Sequence, residues 1–103
     1  NNYMAFLFMK DSIFNEVLEK VSEVTGIEQA TIIHSNKEES TDARYILIKV
    51  LLSLGFTESE ISEKLGCKRQ AVNYAKNHFD DRLYKWSFRV NYGEVKEMFI
   101  NLK

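Results

Sequence analysis

The chain has 103 residues, with no proline, four glycines and one cysteine, and its 14 Lys and Arg against 15 Asp and Glu give a formal charge of -1. This length fits one domain, and a hydrophobic content of 45% excludes a disordered chain. One cysteine cannot form an internal disulfide or a cysteine-rich zinc site. We therefore expect a single domain over residues 1–103 in a reducing compartment, the cytoplasm, and the near-zero charge at first argues against nucleic acid.

The sequence of the N-terminal third predicts a helix and no membrane-spanning segment. The apolar run Tyr3–Met9 is too short to span a bilayer and lacks the basic start of a signal peptide. Residues 11–25 predict a helix, because apolar side chains recur there at three- and four-residue steps. Asp11 or Ser12 would cap its start and Gly26 would follow its end.

The middle of the chain predicts a short helix and then a long one. Residues 28–33 predict the short helix, with Ile32 and Ile33 facing inward. The polar stretch 34–40 predicts a loop. After Thr41, residues 42–54 predict a helix whose broad apolar face is typical of the central, most buried element.

Residues 57–79 have the pattern of a helix-turn-helix. Thr57 and Glu60 have the spacing of a capping box, in which each side chain bonds the other residue's backbone N–H. Gly66 would make the turn before a second helix over residues 68–79. Cys67, after that turn, is expected to pack inward as a small hydrophobe. The angle between the helices would be fixed by three apolar side chains, Ile61, Leu65 and Val72.

The aromatic tail fits two patterns. Alternation from Tyr84 to Tyr92 is typical of a strand, whereas the spacing of Phe88, Tyr92 and Val95 is typical of a helix. We prefer the helix, because a lone strand would have no partner in a helical chain. The aromatic side chains would close the core together with residues 3–8, or alternatively form a homodimer interface.

One face of the second helix of the helix-turn-helix is free of core residues. In the DNA major groove, Arg and Lys suit guanine, while Asn and Gln suit adenine. Lys37 and Lys64 would add contacts to the DNA backbone. The alternative is a helical hairpin with a solvated polar face. The predicted DNA-contacting side chains of the helix are Lys68, Arg69, Gln70, Asn73, Lys76 and Asn77.

The charge of the chain is unevenly distributed. Residues 64–89, which we call the basic region, hold seven Lys and Arg against two Asp, a local net charge of +5. Residues 27–63, which we call the acidic region, carry a net charge of -4. Because binding to phosphate depends on local positive charge, the near-zero total no longer argues against DNA.

A longer order of features runs through residues 13–79. A helix ends in Val-Ser-Glu-Val-Thr-Gly-Ile (21–27), and a short helix follows. A polar loop with Lys37 then precedes Ala43-Arg44, which opens the long helix before the helix-turn-helix. In this order and spacing the chain resembles the C-terminal DNA-binding domain of the bacterial replication initiator DnaA, of the Trp-repressor-like helical class. The resemblance implies an all-α fold of five to six helices and sequence-recognising binding of double-stranded DNA, in replication or in transcription regulation.

The chain departs from that family at the positions that read DNA. The family's loop before the long helix is strongly basic, whereas here only Lys37 is surely positive. The family's signature Arg-Asp-His-Thr-Thr-Val is replaced by Lys-Arg-Gln-Ala-Val at 68–72. We therefore expect a divergent relative that reads a different site, with residues 80–103 as a C-terminal extension.

The sequence favours neither catalysis nor a cofactor. His34 and His78 lack metal-ligand spacing to other ligand types, and Cys67 has no base partner. No Gly-rich phosphate loop occurs, so nucleotide binding is not expected. We expect no enzyme, no cofactor and no metal. The competing hypothesis is a protein-interaction module that kept the fold but lost DNA reading.

Overall fold

A computed structural model describes the backbone of residues 2–100 and the side chains of residues 4–100. Within that range the chain is all-α and has no strand, which confirms the predicted fold class and the helical tail. No helix in this range is long and apolar enough to cross a membrane. The elements are α1 (Asn2–Thr25), α2 (Gln29–His34), α3 (Glu38–Ser53), α4 (Glu58–Leu65), α5 (Arg69–His78), a 3-10 turn (Phe79–Arg82) and α6 (Trp86–Phe99).

The long helix α3 is the centre of the molecule, as its broad apolar face predicts. It packs against every other α-helix of the described chain. Its apolar side chains Ile46, Leu47 and Leu51 are almost completely buried, as is Ile32 of α2. Helices α1, α5 and α6 pack around α3, and their buried side chains form a single core cluster. Helix α4 packs against α5 at one side of this core.

The start of α1 differs from the prediction. The helix begins at Asn2, so Asp11 and Ser12 lie inside it and cap nothing. No proline or glycine interrupts residues 2–11, and side chains such as Met, Ala and Leu favour a helix. The segment Met4–Met9 is apolar on all sides, so it has no helical periodicity to reveal it. Its side chains are exposed, and the expectation that they close the core is therefore wrong for the described residues.

The loop between α2 and α3 is also shorter than predicted. Residues 34–40 were expected to form it, but α2 ends at His34 and α3 begins at Glu38. Glu38 and Glu39 lie in the first turn of α3, where the helix dipole favours negative charge. The polar composition of this stretch therefore reflects a helix start rather than a long loop.

The aromatic tail has two uses. Phe88 is buried, and Phe79 packs against it and against Tyr92, with ring centroids 5.0 and 4.9 Å apart. These rings join the end of α5 to α6. Tyr84 and Trp86, in contrast, are exposed. The tail thus closes the core with one set of aromatic side chains and leaves another at the surface.

Candidate nucleic-acid interface

A capping box fixes the start of α4. The backbone N–H of Glu60 donates to Thr57 Oγ1 at 3.0 Å, and the Thr57 N–H donates to Glu60 Oε1 at 2.9 Å. Both hydrogen bonds of the predicted motif are present. The Lys10 ammonium of α1 binds the same Glu60 oxygen at 2.7 Å, which ties the helix-turn-helix to the body of the molecule.

The turn between α4 and α5 depends on Gly66. Its backbone is left-handed, with φ 70° and ψ 32°, a conformation that glycine adopts without steric cost. Ile61, Leu65 and Val72 are buried on either side of the turn, as predicted. These three side chains hold α5 against α4 in the arrangement of a helix-turn-helix.

Cys67 does not pack inward as expected. It is an exposed residue, because Ile61, Leu65 and Val72 already fill the contact between the helices and the turn itself lies at the surface. The thiol still faces a groove between α3 and α5, and this partial burial raises the pKa of Cys67. A thiol that stays protonated is a weak nucleophile.

The predicted DNA-contacting side chains of α5 lie together on its outer side. Asn73 is half-buried, and the others of the set are exposed. Lys68 is the residue just before α5, at the edge of this surface. We call this surface the α5 face; it consists of Lys68, Arg69, Gln70, Asn73, Lys76 and Asn77.

Lys37 and Lys64 do not belong to the α5 face. Lys37 is exposed and immediately precedes α3. Lys64 forms an ion pair with Asp11 of α1, and its ammonium lies 5.8 Å from the centre of the Phe14 ring. The side chain of Lys64 is thus directed towards α1 rather than towards the α5 face.

One carboxylate, which sequence reasoning missed, contacts three side chains of the α5 face. Glu58 Oε2 accepts a hydrogen bond from Asn73 Nδ2 at 3.0 Å and lies 3.5 Å from Lys76 Nζ. Glu58 Oε1 lies 3.4 Å from Arg69 Nη1. Asn73 Oδ1 in turn accepts from Asn77 Nδ2 at 3.1 Å. Glu58 therefore organises the α5 face from the neighbouring helix.

The protonation of Glu58 reflects these partners. The hydrogen bond from Asn73 is the largest cause that lowers the pKa of the Glu58 carboxyl, and the charges of Lys76 and Arg69 lower it further. The pKa lies below the ordinary value of 4.5, so the carboxylate is ionised at neutral pH.

Tyr74 is a second surface residue that the sequence reasoning missed. Its side chain is 58% exposed, and its ring stacks on His78 with centroids 4.0 Å apart. The spacing of Tyr74 and His78 by four residues was the available signal, because such pairs are neighbours on a helix. A planar ring beside the α5 face offers a stacking or apolar contact that the polar residues cannot make.

Two further cations of the basic region, Arg82 and Lys85, are paired with carboxylates away from the α5 face. Arg82 Nη1 binds Asp42 Oδ1 at 2.5 Å, and Lys85 Nζ binds Asp42 Oδ2 at 3.0 Å. Lys85 also pairs with Glu38. The fold therefore brings part of the basic region onto part of the acidic region, and the α5 face contributes the exposed cations of the helix-turn-helix.

A groove of about 520 Å³ lies between α3 and α5. It is lined by Ile33, Ile48 and Ala71 among its apolar residues and by Arg44 and Tyr74 among its polar ones. No group of three or more His, Cys, Asp or Glu side chains comes together as metal ligands among the described residues. Comparisons of the chain with family models, with curated proteins and with solved structures gave no match.

Proposed function

We propose that this protein is a sequence-recognising binder of double-stranded DNA whose helix α5 enters the major groove. The observation that carries the proposal is the α5 face: an exposed polar and cationic helix surface, held by a capped helix and a glycine turn. Arg and Lys on such a helix match the acceptors of guanine, and Asn and Gln match the edge of adenine. The first turns of a recognition helix are the ones that reach the bases.

The chemistry of the α5 face supports a defined division of roles. Lys68 and Arg69 lie at the start of α5, where base edges are within reach. Lys76 lies in the last turn, where a contact with a backbone phosphate is the usual use of a lysine. Lys37, before α3, would contact the adjacent backbone. On the DnaA-like resemblance, the process served is replication or transcription regulation, in the cytoplasm.

The test is the affinity for duplex DNA as a function of salt. Duplexes are first selected from a random pool with the wild-type protein, which returns the preferred site. The triple variant Lys68→Gln, Arg69→Gln, Lys76→Gln should then bind that site at least about tenfold more weakly at about 50 mM salt. Its salt slope should fall by about one for each phosphate that the variant no longer neutralises.

A matched triple variant keeps the same change in net charge away from the α5 face. Lys20→Gln, Lys49→Gln, Lys96→Gln removes three lysines of α1, α3 and α6 and should leave affinity within about threefold of wild type. Equal weakening by both triple variants would mean that overall charge, and not the α5 face, binds DNA. Unchanged affinity of the first variant would place the DNA contact elsewhere.

A second candidate function is a protein-interaction module. The observation that favours it is apolar surface: Phe6 and Phe8 of α1 and Trp86 of α6 are all more than half exposed. Exposed aromatic side chains are typical of the centres of protein interfaces, including homodimer interfaces. Absence of duplex binding in the micromolar range at about 50 mM salt would favour this function over DNA binding.

A further inference from the structure

Glu58 places a negative charge beside a surface that is proposed to bind DNA, which is itself negatively charged. It lies in the first turn of α4, and its side chain is only 16% exposed. The α5 side chains that contact it, Arg69, Asn73 and Lys76, are three of the donors that the proposed function assigns to DNA. In the free protein one carboxylate therefore occupies the acceptor position that DNA would offer them.

Arg69 and Lys76, the two cations that contact Glu58, gain less from a phosphate than Arg69 gains from a base. A backbone phosphate offers Arg69 and Lys76 what Glu58 already supplies, a negatively charged oxygen acceptor. Exchange of one acceptor for the other releases little free energy. A guanine edge instead offers Arg69 two acceptors in a bidentate geometry, and this contact is available only at the right base. The Glu58 carboxylate thus weakens binding to other DNA sequences more than it weakens binding to the preferred sequence.

Glu58 also helps to fix the orientation of the Asn73 side chain. Its amide donates to Glu58, and its carbonyl accepts from Asn77, so both ends of the Asn73 amide are engaged. This pair of bonds fixes the orientation of Asn73 and, through it, the orientation of Asn77. An Asn side-chain amide that is already ordered in the free protein binds adenine without a further loss of rotamer freedom.

We propose that Glu58 is the specificity-determining residue of the α5 face, an internal competitor for phosphate that suppresses sequence-independent DNA binding. This inference rests on the proposed function and assigns the source of sequence discrimination at the same site. Removal of the charge should make the protein bind any duplex more tightly while it discriminates less between duplexes.

The experiment compares wild type with Glu58→Gln on two duplexes, the selected site and a scrambled sequence of the same composition. Glu58→Gln should bind the scrambled duplex about tenfold more tightly at about 50 mM salt. Its salt slope on that duplex should steepen by about one to two, as Arg69 and Lys76 become free for phosphates. The preference for the selected site over the scrambled one should shrink at least about threefold.

Glu63→Gln is the matched control, because it makes the same change of charge on the same helix. Glu63 is exposed and forms no ion pair among the described residues. It should reproduce wild-type discrimination and change the affinity for the scrambled duplex less than about threefold. Glu58→Ser, whose side chain is too short to reach α5, gives the same comparison if the Gln variant does not fold.

The outcomes separate this inference from the proposed function. Wild-type binding to duplex DNA, with Glu58→Gln indistinguishable from Glu63→Gln, would reject the role of Glu58 and leave DNA binding in place. Weaker binding of Glu58→Gln to both duplexes would also reject it, since Glu58 would then support contacts rather than compete with them. Failure of wild type and Glu58→Gln to bind any duplex would reject both proposals.

Discussion

Arg44 supports the end of α2 with its guanidinium group. Nη1 contacts the carbonyl oxygens of Ile32 at 2.5 Å, Ser35 at 3.0 Å and Ile33 at 3.4 Å. The last carbonyls of a helix have no partner within the helix, and a cation there also interacts favourably with the helix dipole. Partial burial lowers the pKa of Arg44, and the group forms no ion pair among the described residues. Its role is thus to hold the backbone between α2 and α3.

We expect Arg44→Met to lower the free energy of unfolding by about 1 to 2 kcal/mol, because it leaves partly buried carbonyl groups without a donor. Methionine keeps most of the apolar stem, so the loss reports the hydrogen bonds rather than a cavity. The measurement is urea unfolding followed by circular dichroism. Arg89→Met is the control, since Arg89 also donates to a carbonyl, that of Leu83, but is exposed. Equal losses in both variants would contradict the assigned role of Arg44.

At the scale of elements, two glycines differ in backbone and therefore in what an added methyl group does. Gly66 ends α4 with φ +70°, whereas Gly93 lies inside α6. A Cβ built at either position meets no atom within 4 Å beyond the adjacent residues and, at Gly93, the backbone of its own helix. Contacts of the added methyl group with the rest of the molecule are therefore absent at both positions, and the difference between the two variants reports backbone preference.

We expect Gly66→Ala to destabilise the protein by about 1 kcal/mol, because alanine disfavours the left-handed region. Gly93→Ala should stabilise it by about 0.5 to 1 kcal/mol, because glycine is a poor residue inside a helix. Urea midpoints of the two variants and wild type, measured together, provide the test. Destabilisation by both substitutions would contradict the assignment of these effects to backbone preference alone.

The helix-turn-helix shows which parts of the structure are predictable from the sequence. The capping box at Thr57 and the turn at Gly66 depend on residues a few positions apart, so local patterns identify them. The start of α1 was missed because an all-apolar stretch, Met4–Met9, has no amphipathic period. The contact of Glu58 with Asn73 was missed because it depends on how α4 crosses α5. The side chains that form the α5 face were predicted as a set, whereas their internal acceptor was not.

At the scale of the whole molecule, the fold distributes its charges in ion pairs between distant segments. Lys85 of the basic region pairs with Glu38, and Lys10 of α1 pairs with Glu60. The hydrogen bond from Lys85 is the largest cause that lowers the pKa of Glu38, and the hydrogen bond from Lys10 is the largest cause for Glu60. Both pKa values lie below the ordinary 4.5. These pairs link the stability of the fold to pH.

A carboxyl group whose pKa is lower in the folded chain stabilises the fold at every pH above its unfolded pKa. That contribution is lost as pH falls through the folded pKa, because the native state must then take up a proton. We therefore expect the stability that these two pairs contribute to be constant from about pH 6 to pH 7 and to fall below pH 4.5, the ordinary value. The variant Glu38→Gln, Glu60→Gln should show a shallower fall, measured as urea midpoints at low salt.

Glutamine is a suitable replacement because it retains most of the geometry. At residue 60 it can still accept the Thr57 N–H of the capping box, so the variant removes charge and spares the cap. The control is Glu16→Gln, Glu94→Gln, which removes two exposed carboxylates without ion pairs among residues 4–100. Its pH profile should parallel that of wild type. If both double variants flatten the profile equally, the acid sensitivity arises from net charge alone, and the pairs with Lys85 and Lys10 do not hold these segments together.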